Sequence, residues 1–358
     1  MIQYIVRRVL SALPVLLGIL FVTFALARLL PGDPCRAVLG ERATDQVCDA
    51  FIKRNGLDRP ILVQFWIYLQ DVLTGDLGTS LRQGRPTTVI LTERLPVTIE
   101  LAFYAMFFAT IAGVPLGIIS AYRHNSGVDV ATMIGANIGV SMPVFVLGLL
   151  MSFTFAVLLK DTPLWLPPSG RLSAGVELPT LMEAWHLEHL TGFPASFLTF
   201  VSRLYTVNAL ITGNWTALND VVRHMILPAL AVGTIPLAII ARMTRSSLLD
   251  VLGREYVRAA KAKGVPHRRV IAKHAFRNAL LPVVTIIGLS LGGLLGGAVL
   301  TETIFGLSGV GRAVYEAITA RDYPIIQAFT LVIAIGYVIV NLIVDVSYTY
   351  LDPRVRLE

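Results

Sequence analysis

Residues 97–121, which read VTIELAFYAMFFATIAGVPLGIISA, decide the fold, and Glu100 is their one charged residue. A bilayer core about 30 Å thick requires roughly 20 apolar residues for one helix to cross it. Within lipid, the backbone N–H and C=O groups of such a segment must bond to each other, and a helix does this locally. Residues 97–121 are therefore predicted to form a transmembrane helix.

Five more apolar blocks of similar length occur along the chain, at residues 9–30, 131–159, 224–248, 281–304 and 325–350. Of the 358 residues, 55% are hydrophobic and 15% are charged, which is too little charge for the surface of a soluble protein of this size. We therefore predict an all-α integral membrane protein with about six transmembrane helices. The first block follows a basic start, as in a signal peptide. It is long for one and five spans follow it, so we expect it to remain uncleaved.

The net charge of +7 is distributed in the way that membrane topology predicts. When the N-terminus is placed inside and the sides alternate, the inside segments hold 15 Lys and Arg residues. The outside segments hold 14, although they are more than twice as long. This is the bias of the positive-inside rule. It predicts that both termini are cytoplasmic, and it explains the basic charge without a nucleic-acid partner, so we expect none.

Two long segments are predicted on the outer side. The first, 31–94, has apolar residues at helical spacing over 44–73, which favours a small helical cap against the membrane. It also contains Cys35 and Cys48, which could form a disulfide outside the cytoplasm or remain free thiols. The second segment, 160–223, is predicted to be an insertion.

These segments suggest a division of the chain into two parts. Residues 1–96 hold the first span and its cap. Residues 97–358 hold a five-helix core, which includes the outer insertion and a cytoplasmic loop at 242–280.

The cytoplasmic loop carries the clearest functional signal. It has ten Lys and Arg residues, and good helix formers predict a helix over 246–263. Gly264, in the left-handed cap conformation, and Pro266 then stop this helix, and a second helix is predicted from about His267 onward. Small side chains would give the first helix a narrow surface that fits a cleft on another protein: Ala259, Ala260 and Ala262. A solvated loop held by anionic lipid is the alternative.

Glycines recur at every fourth position of the fifth predicted span, at Gly288, Gly292 and Gly296. This spacing lets membrane helices approach closely. The face could line the pore or contact another subunit, and packing within the chain is the alternative.

Ionisable residues near the spans are candidate sites because their burial in lipid is costly. Glu100 and Glu302 are expected at the outer ends of their spans, paired with arginines or water; attraction of a peptide amino terminus is the alternative. Asp345 is expected to pair with the basic loop. No histidine set has ligand spacing, so we assign no metal. The G-x-x-x-x-G-K-[ST] loop that cradles ATP phosphates is absent from the sequence, and we assign no catalytic residue.

Residues 256–264 followed by 274–282 are similar to the cytoplasmic loop of permease subunits in binding-protein-dependent ATP-binding-cassette (ABC) importers. The likeness is greatest to the dipeptide, oligopeptide and nickel branch, and within it to the first permease subunit of bacterial dipeptide importers. Seven further motifs occur in the order typical of that branch, at residues 30–34, 75–80, 141–145, 242–247, 301–305, 321–324 and 352–356. Two departures from the wider superfamily resemble the peptide branch: Arg258 replaces a glutamate, and Phe276-Arg277 replaces Leu-Pro.

The resemblance implies the type I ABC importer permease fold, and a function as half of a path for dipeptides or short oligopeptides in the bacterial inner membrane. It implies several partners: a homologous second permease, two ABC ATPases, an extracytoplasmic peptide-binding protein and membrane lipid. ATP and Mg would be bound by the ATPases, which leaves this chain without a cofactor and without enzymatic activity. The residues expected to couple it to an ATPase are Glu255, Tyr256, Arg258, Ala259, Ala260, Lys261 and Gly264.

Alternatives to this function remain open. Within the importer class, the substrate could be nickel or another small solute such as glutathione. Outside that class, a proton-driven secondary transporter would need acidic relays near mid-membrane or inverted repeats, and the sequence offers neither.

Overall fold

The computed structural model of the chain describes residues 2–29, 34–40, 42–54, 56–266 and 269–351. In these residues the regular structure is helical, apart from one isolated antiparallel bridge between Thr79 and Pro86. The helices are α1 (Ile2–Leu29), α2 (Pro34–Leu39), α3 (Asp45–Arg54), α4 (Ile61–Leu73), α5 (Thr87–Tyr122), α6 (Gly127–Ser141), α7 (Val144–Ser152), α8 (Leu181–Ala184), α9 (Phe193–Ser202), α10 (Tyr205–Ile211), α11 (Trp215–Leu252), α12 (Glu255–Ala262), α13 (Phe276–Leu295), α14 (Val299–Ile304), α15 (Val310–Ala320) and α16 (Tyr323–Leu351). Short π-helices at Phe153–Leu158 and Val270–Ala275 follow α7 and precede α13. The first four residues of the 30–34 motif and all of the 352–356 motif lie outside the described residues.

Within the described ranges, five helices are long and apolar enough to cross a membrane, namely α1, α5, α11, α13 and α16. A sixth crossing is present if α6 and the helical residues after it, 144–158, are counted as one broken span. The prediction of an all-α membrane protein with about six spans is therefore confirmed.

The third predicted span, 131–159, is not one straight helix. Its two halves are bent by 95°. At the bend Met142 has extended backbone, with φ −95° and ψ 132°, and Pro143 caps the start of α7. Proline has no N–H and disfavours helical geometry in the residue before it. The prediction of a continuous helix is wrong for this reason.

The fifth predicted span, 281–304, is also interrupted. α13 ends at Leu295, Gly296 is its C-terminal cap, and Gly297 has φ +91°. A Cβ atom at Gly297 would lie 2.5 Å from the backbone of Gly311, so glycine permits both the turn and the close approach of α15. The single helix predicted here is wrong, and α14 is a separate short helix.

Two helices are longer than the apolar blocks that predicted them. α5 begins at Thr87, so the predicted boundary at residue 96 lies inside it. α11 begins at Trp215, within the end of the predicted insertion, and ends at Leu252, within the start of the predicted loop. Glu93 and Arg94 belong to the added first part of α5. Hydropathy detects only the part of a helix that lipid surrounds, so it gives no warning of a helix that continues into water.

The core of the bundle is the crossing of α5 and α11. A Cβ atom at Gly113 would lie 2.9 Å from the carbonyl oxygen of Leu237, and one at Gly117 would lie 2.6 Å from that of Ala241. The two backbones therefore touch where α5 has no side chain. Since lipid tails are as apolar as leucine, van der Waals contact at this distance drives the association of membrane helices.

α13 packs against α16 through two of the glycines that the sequence singled out. A Cβ atom at Gly288 would collide with Val344, and one at Gly292 would lie 2.6 Å from the ring of Tyr337. Packing within the chain, the alternative left open above, accounts for these two positions. The helical repeat stops before Gly296, because that residue already caps α13.

The predicted cap consists of short helices, one of which, α4, packs against α1. Cys35 and Cys48 form a disulfide between α2 and α3, with Cα atoms 5.3 Å apart. The region predicted as helical, 44–73, contains α3 and α4 with a break between them. Phe65 of α4 packs edge-on against Phe21 and Phe24 of α1, at ring-centre distances of 5.2 and 5.3 Å.

Substitution of Gly288 by alanine tests the contact of α13 with α16. We expect Gly288→Ala to lower the free energy of unfolding by about 1–3 kcal/mol, the usual cost of overpacking, measured by thermal unfolding of the purified chain in detergent. Gly293→Ala is the matched control, because a Cβ atom there would have no neighbour within 4 Å. Equal melting temperatures for the two variants would contradict this packing.

Candidate functional site

The candidate site begins where α11 ends. The sequence predicted one helix over 246–263, but the structure ends α11 at Leu252 and begins α12 at Glu255. Between them Gly253 caps α11 and Arg254 is extended, with φ −72° and ψ 149°. Glycine is among the weakest helix formers, so the chain breaks there and α12 leaves in a new direction.

α12 is joined to the helices on both sides of it. Its Val257 side chain is fully buried. The hydroxyl of Tyr256 accepts a hydrogen bond of 2.7 Å from the side-chain amide of Asn278, near the start of α13. A force applied to α12 therefore has contacts through which it can reach the bundle.

Gly264 ends α12 in the conformation that the sequence predicted. Its φ is +75°, in the left-handed region. Its N–H donates to the carbonyl of Lys261 at 3.0 Å, and the N–H of Val265 donates to that of Ala260 at 3.2 Å. These two bonds form a Schellman motif, which turns the chain sharply after the helix. The predicted start of the second helix, 267–268, lies outside the described residues.

The outward face of α12 carries the residues proposed for coupling. Ala260 is half-buried, and the remaining six are exposed: Glu255, Tyr256, Arg258, Ala259, Lys261 and Gly264. A Cβ atom at Gly264 would meet nothing within 4 Å. This face is charged at its edges, and small at Ala259 and Gly264, so another protein can approach its backbone.

An ion pair with a buried carboxylate holds α11 shortly before the break at Gly253 and Arg254, which we call the elbow. Arg245 donates two hydrogen bonds of 2.8 Å to the carboxylate of Asp129 in α6. Ser120 of α5 also donates to this carboxylate, as does the backbone N–H of Asn125 at 3.0 Å. A bidentate pair of this kind fixes both distance and orientation. It joins α5, α6 and α11 at one end of the bundle.

Asp129 was not among the site residues predicted from the sequence. The sequence did contain a signal for it. Ser126 is the N-terminal cap of α6, and Asp129, three residues later, lies in the first turn, where a negative charge is favoured by the helix dipole. Its partner lies in the 242–247 motif. A second correction concerns Asp345. Among the described residues it pairs with Arg8 of α1 at 3.0 Å and not with a residue of the basic loop, because α1 packs along α16.

Acidic residues at the opposite end have structural partners. Glu100 pairs with Arg171, in agreement with the expectation of an arginine. Glu302 instead accepts hydrogen bonds from the Thr98 hydroxyl at 2.9 Å and from the backbone N–H of Arg312 at 2.8 Å. Its carboxylate therefore caps the first turn of α15.

The 75–80 and 321–324 motifs are in contact at this same end of the bundle. Asp322 is buried and accepts from the hydroxyl of Ser80 and from the N–H of Leu81 at 3.0 Å. The 75–80 and 321–324 motifs therefore join the cap to α16.

Comparison with known proteins places these features in a family. Residues 113–357 match the family described as binding-protein-dependent transport system inner membrane component, and residues 1–102 match its membrane component N-terminal family. The chain is 44% identical, over 99% of its length and all of the relative, to the dipeptide transport system permease protein DppB of Alkalihalophilus pseudofirmus. It is 41% identical to DppB of Escherichia coli, with 99% of each chain covered. The glutathione transport system permease protein GsiC of Salmonella choleraesuis is 35% identical over the whole of both chains.

Substitution of Arg245 by glutamine tests the ion pair. The Asp129 side chain is 5% exposed, so its charge would be left buried and we expect a loss of about 2 kcal/mol in unfolding free energy. This is less than the 3–5 kcal/mol of a fully buried pair, because Arg245 is partly exposed. Arg242→Gln, at an exposed site in the same motif, is the control. Adding Asp129→Asn should recover part of the loss; a double variant no more stable than Arg245→Gln would count against the pair.

Proposed function

The chain belongs to the family of binding-protein-dependent transport system inner membrane components, and we propose that it forms half of the path through which an ABC importer takes up dipeptides or short oligopeptides. As a member of this family it is a multi-pass inner-membrane permease subunit of an ABC importer. Its substrate, its individual partners and its orientation are parts of the proposal.

The exposed face of α12 is the observation that carries the proposed coupling. α12 is short, ends in a Schellman turn and is hydrogen-bonded to α13. Another protein can bind its exposed face, and a movement of α12 can be transmitted to the bundle through that bond. We propose that an ABC ATPase docks on the face formed by Glu255, Tyr256, Arg258, Ala259, Ala260, Lys261 and Gly264. The ATPase, and not this chain, would bind ATP and Mg and hydrolyse ATP.

The proposed assembly contains five proteins. This chain would pair with a homologous second permease, each permease would dock one ATPase, and an extracytoplasmic binding protein would deliver peptide. The elbow and both termini would lie on the cytoplasmic side. The positive-inside bias supports this orientation, with Arg7 and Arg8 at the N-terminus.

Peptides are the preferred substrate class because the more similar relatives are named for dipeptide transport. Glutathione is the second candidate, since it is itself a short peptide and the permease named for it is also related over the whole chain. Substrate choice in such a system would depend largely on the binding protein.

The proposed mechanism is a two-state change of the bundle. Closure of the ATPase pair would push α12. Val257 and the Tyr256–Asn278 hydrogen bond would pass that displacement to α11 and α13. The Asp129–Arg245 pair would keep α5 and α6 moving with α11. The permease would then switch between outward-open and inward-open states, and ATP could shift this equilibrium only because the ATPase contacts the two states differently.

Substitution of Gly264 by leucine tests the proposed coupling. A non-glycine residue costs about 1–2 kcal/mol in the left-handed conformation, and the leucine side chain would occupy the surface where the ATPase docks. In the complete importer reconstituted in liposomes, we expect binding-protein-stimulated ATP hydrolysis and dipeptide uptake to fall about tenfold or more.

Gly213→Leu is the matched control for this experiment. Gly213 also follows a helix and also has a positive φ, +67°, and a Cβ atom there would meet nothing within 4 Å. It lies just before the start of α11, whereas Gly264 lies beyond the other end of that helix. The control should retain most of the activity. Gly264→Leu with full stimulated hydrolysis would remove α12 from the coupling path.

A further inference from the structure

A cavity of about 340 Å³ lies among α1, α3, α4 and α16, at the end of the bundle that carries the cap. Its walls include Arg28 from the last turn of α1, Tyr68 from α4 and Gln327 from α16. Three exposed cations also line it: Lys53, Arg54 and Arg59. The coupling mechanism uses none of these residues.

Two polar atoms in the wall are buried without a partner among the described residues. They are the hydroxyl of Tyr68 and the side-chain nitrogen of Gln327, and the Gln327 residue is only 3% exposed. Burial raises the pKa of Tyr68 to about 12, so its phenol keeps its proton and remains a donor. A buried donor left unpaired is costly. Two residues that line the cavity therefore carry buried donors with no acceptor in the part of the chain that the structure describes.

The charge of the lining favours an anion. Four cations face two carboxylates, Asp71 and Asp76, and Asp76 already accepts a bond of 2.8 Å from the N–H of Gly78. In the described part of the chain, no ion pair within 4.0 Å involves any of the four cations. Among the lining residues, positive charge therefore exceeds negative charge by two.

Arg28 is held in position by uncharged groups. Its Nε donates to the Gln64 side-chain oxygen at 2.5 Å. Its guanidinium carbon lies 3.4 Å from the centre of the Phe24 ring. These contacts orient the guanidinium without neutralising it, as a site for a phosphate or carboxylate group requires.

The position of the cavity relative to the membrane favours a lipid. The apolar span of α1 ends at Leu26, so Arg28 lies at the level where head groups begin. The neighbouring helix α4 exposes large apolar side chains, with Trp66 60% exposed and Leu62 69% exposed. Tryptophan beside exposed leucine is typical of a helix at the membrane–water interface. A phosphate group entering the cavity can therefore remain attached to acyl chains in the bilayer.

We propose that this cavity is a binding site for the phosphate group of an anionic phospholipid. Arg28 and the rim cations supply the charge, while Tyr68 and Gln327 donate hydrogen bonds to the phosphate oxygens. Free phosphate is the other source of the same chemistry, and the interfacial position favours the lipid. The site is independent of the transported substrate.

The test measures lipid binding to the full purified chain in detergent by native mass spectrometry. Phosphatidylglycerol and phosphatidylcholine are added separately at equal concentrations. We expect the wild-type chain to retain phosphatidylglycerol preferentially, and Lys53→Gln with Arg59→Gln to weaken its affinity about tenfold. Arg42→Gln with Lys160→Gln is the matched control, because it removes the same two charge types from exposed positions outside the cavity.

Gln327→Leu separates binding from folding. It removes a buried donor that has no partner among the described residues, so the thermal stability of the lipid-free chain should be unchanged or higher. Phosphatidylglycerol affinity should fall several-fold. A purely structural glutamine would give the opposite result, with lower stability and unchanged lipid binding.

Inorganic phosphate at millimolar concentration distinguishes the two sources. If it leaves phosphatidylglycerol bound, the lipid is the ligand; if it displaces the lipid from the wild-type chain, free phosphate can also occupy the site. The proposal is overturned if phosphatidylglycerol is retained no better than phosphatidylcholine, or if the Lys53 and Arg59 double variant retains it as well as the control does.

Discussion

The contact between the backbones of α5 and α11 is the constraint on which the rest of the structure depends. No hydrophobic drive brings two helices together in lipid, so their association depends on how closely they can approach. Gly113 and Gly117 bring α5 within contact of the carbonyls of Leu237 and Ala241. The Asp129–Arg245 pair then fastens this crossing at one end. α11 is consequently the central helix of the bundle. A displacement of α12, which follows its C-terminal end, can therefore be transmitted to the helices packed around it.

The sequence predicted the spans well where composition alone decides them. Six apolar blocks correspond to five long helices and one bent pair. The errors occurred where a single residue decides the backbone path. Pro143 bends the third span and Gly297 turns the chain after the fifth, whereas Pro96 and Pro115 lie inside α5 without ending it. Membrane helices tolerate proline when neighbouring groups satisfy the freed carbonyl, and a single sequence does not reveal those neighbours.

The candidate site was predictable in its local part. The left-handed Gly264 followed from the pattern of helix formers, glycine and proline, and the structure has it with φ +75°. The break at Gly253 was missed because the residues around it are good helix formers. Pairs of residues distant in sequence could not be predicted. Asp129 and Arg245 are separated by 116 positions, and Ser80 and Asp322 by 242. Motif order indicated that these residues mattered, but only the fold shows which of them meet.

The central claim is that a nucleotide-hydrolysing subunit binds the exposed face of α12. The most direct measurement is photocrosslinking in cells from a benzophenone amino acid placed at Lys261, which is exposed on α12, with the same probe at Lys160 as a comparison. The account predicts an adduct between position 261 and a chain that carries the ATP phosphate-binding loop, and none from position 160. An ATPase adduct from position 160, or its absence from position 261 in an importer that transports normally, would contradict it.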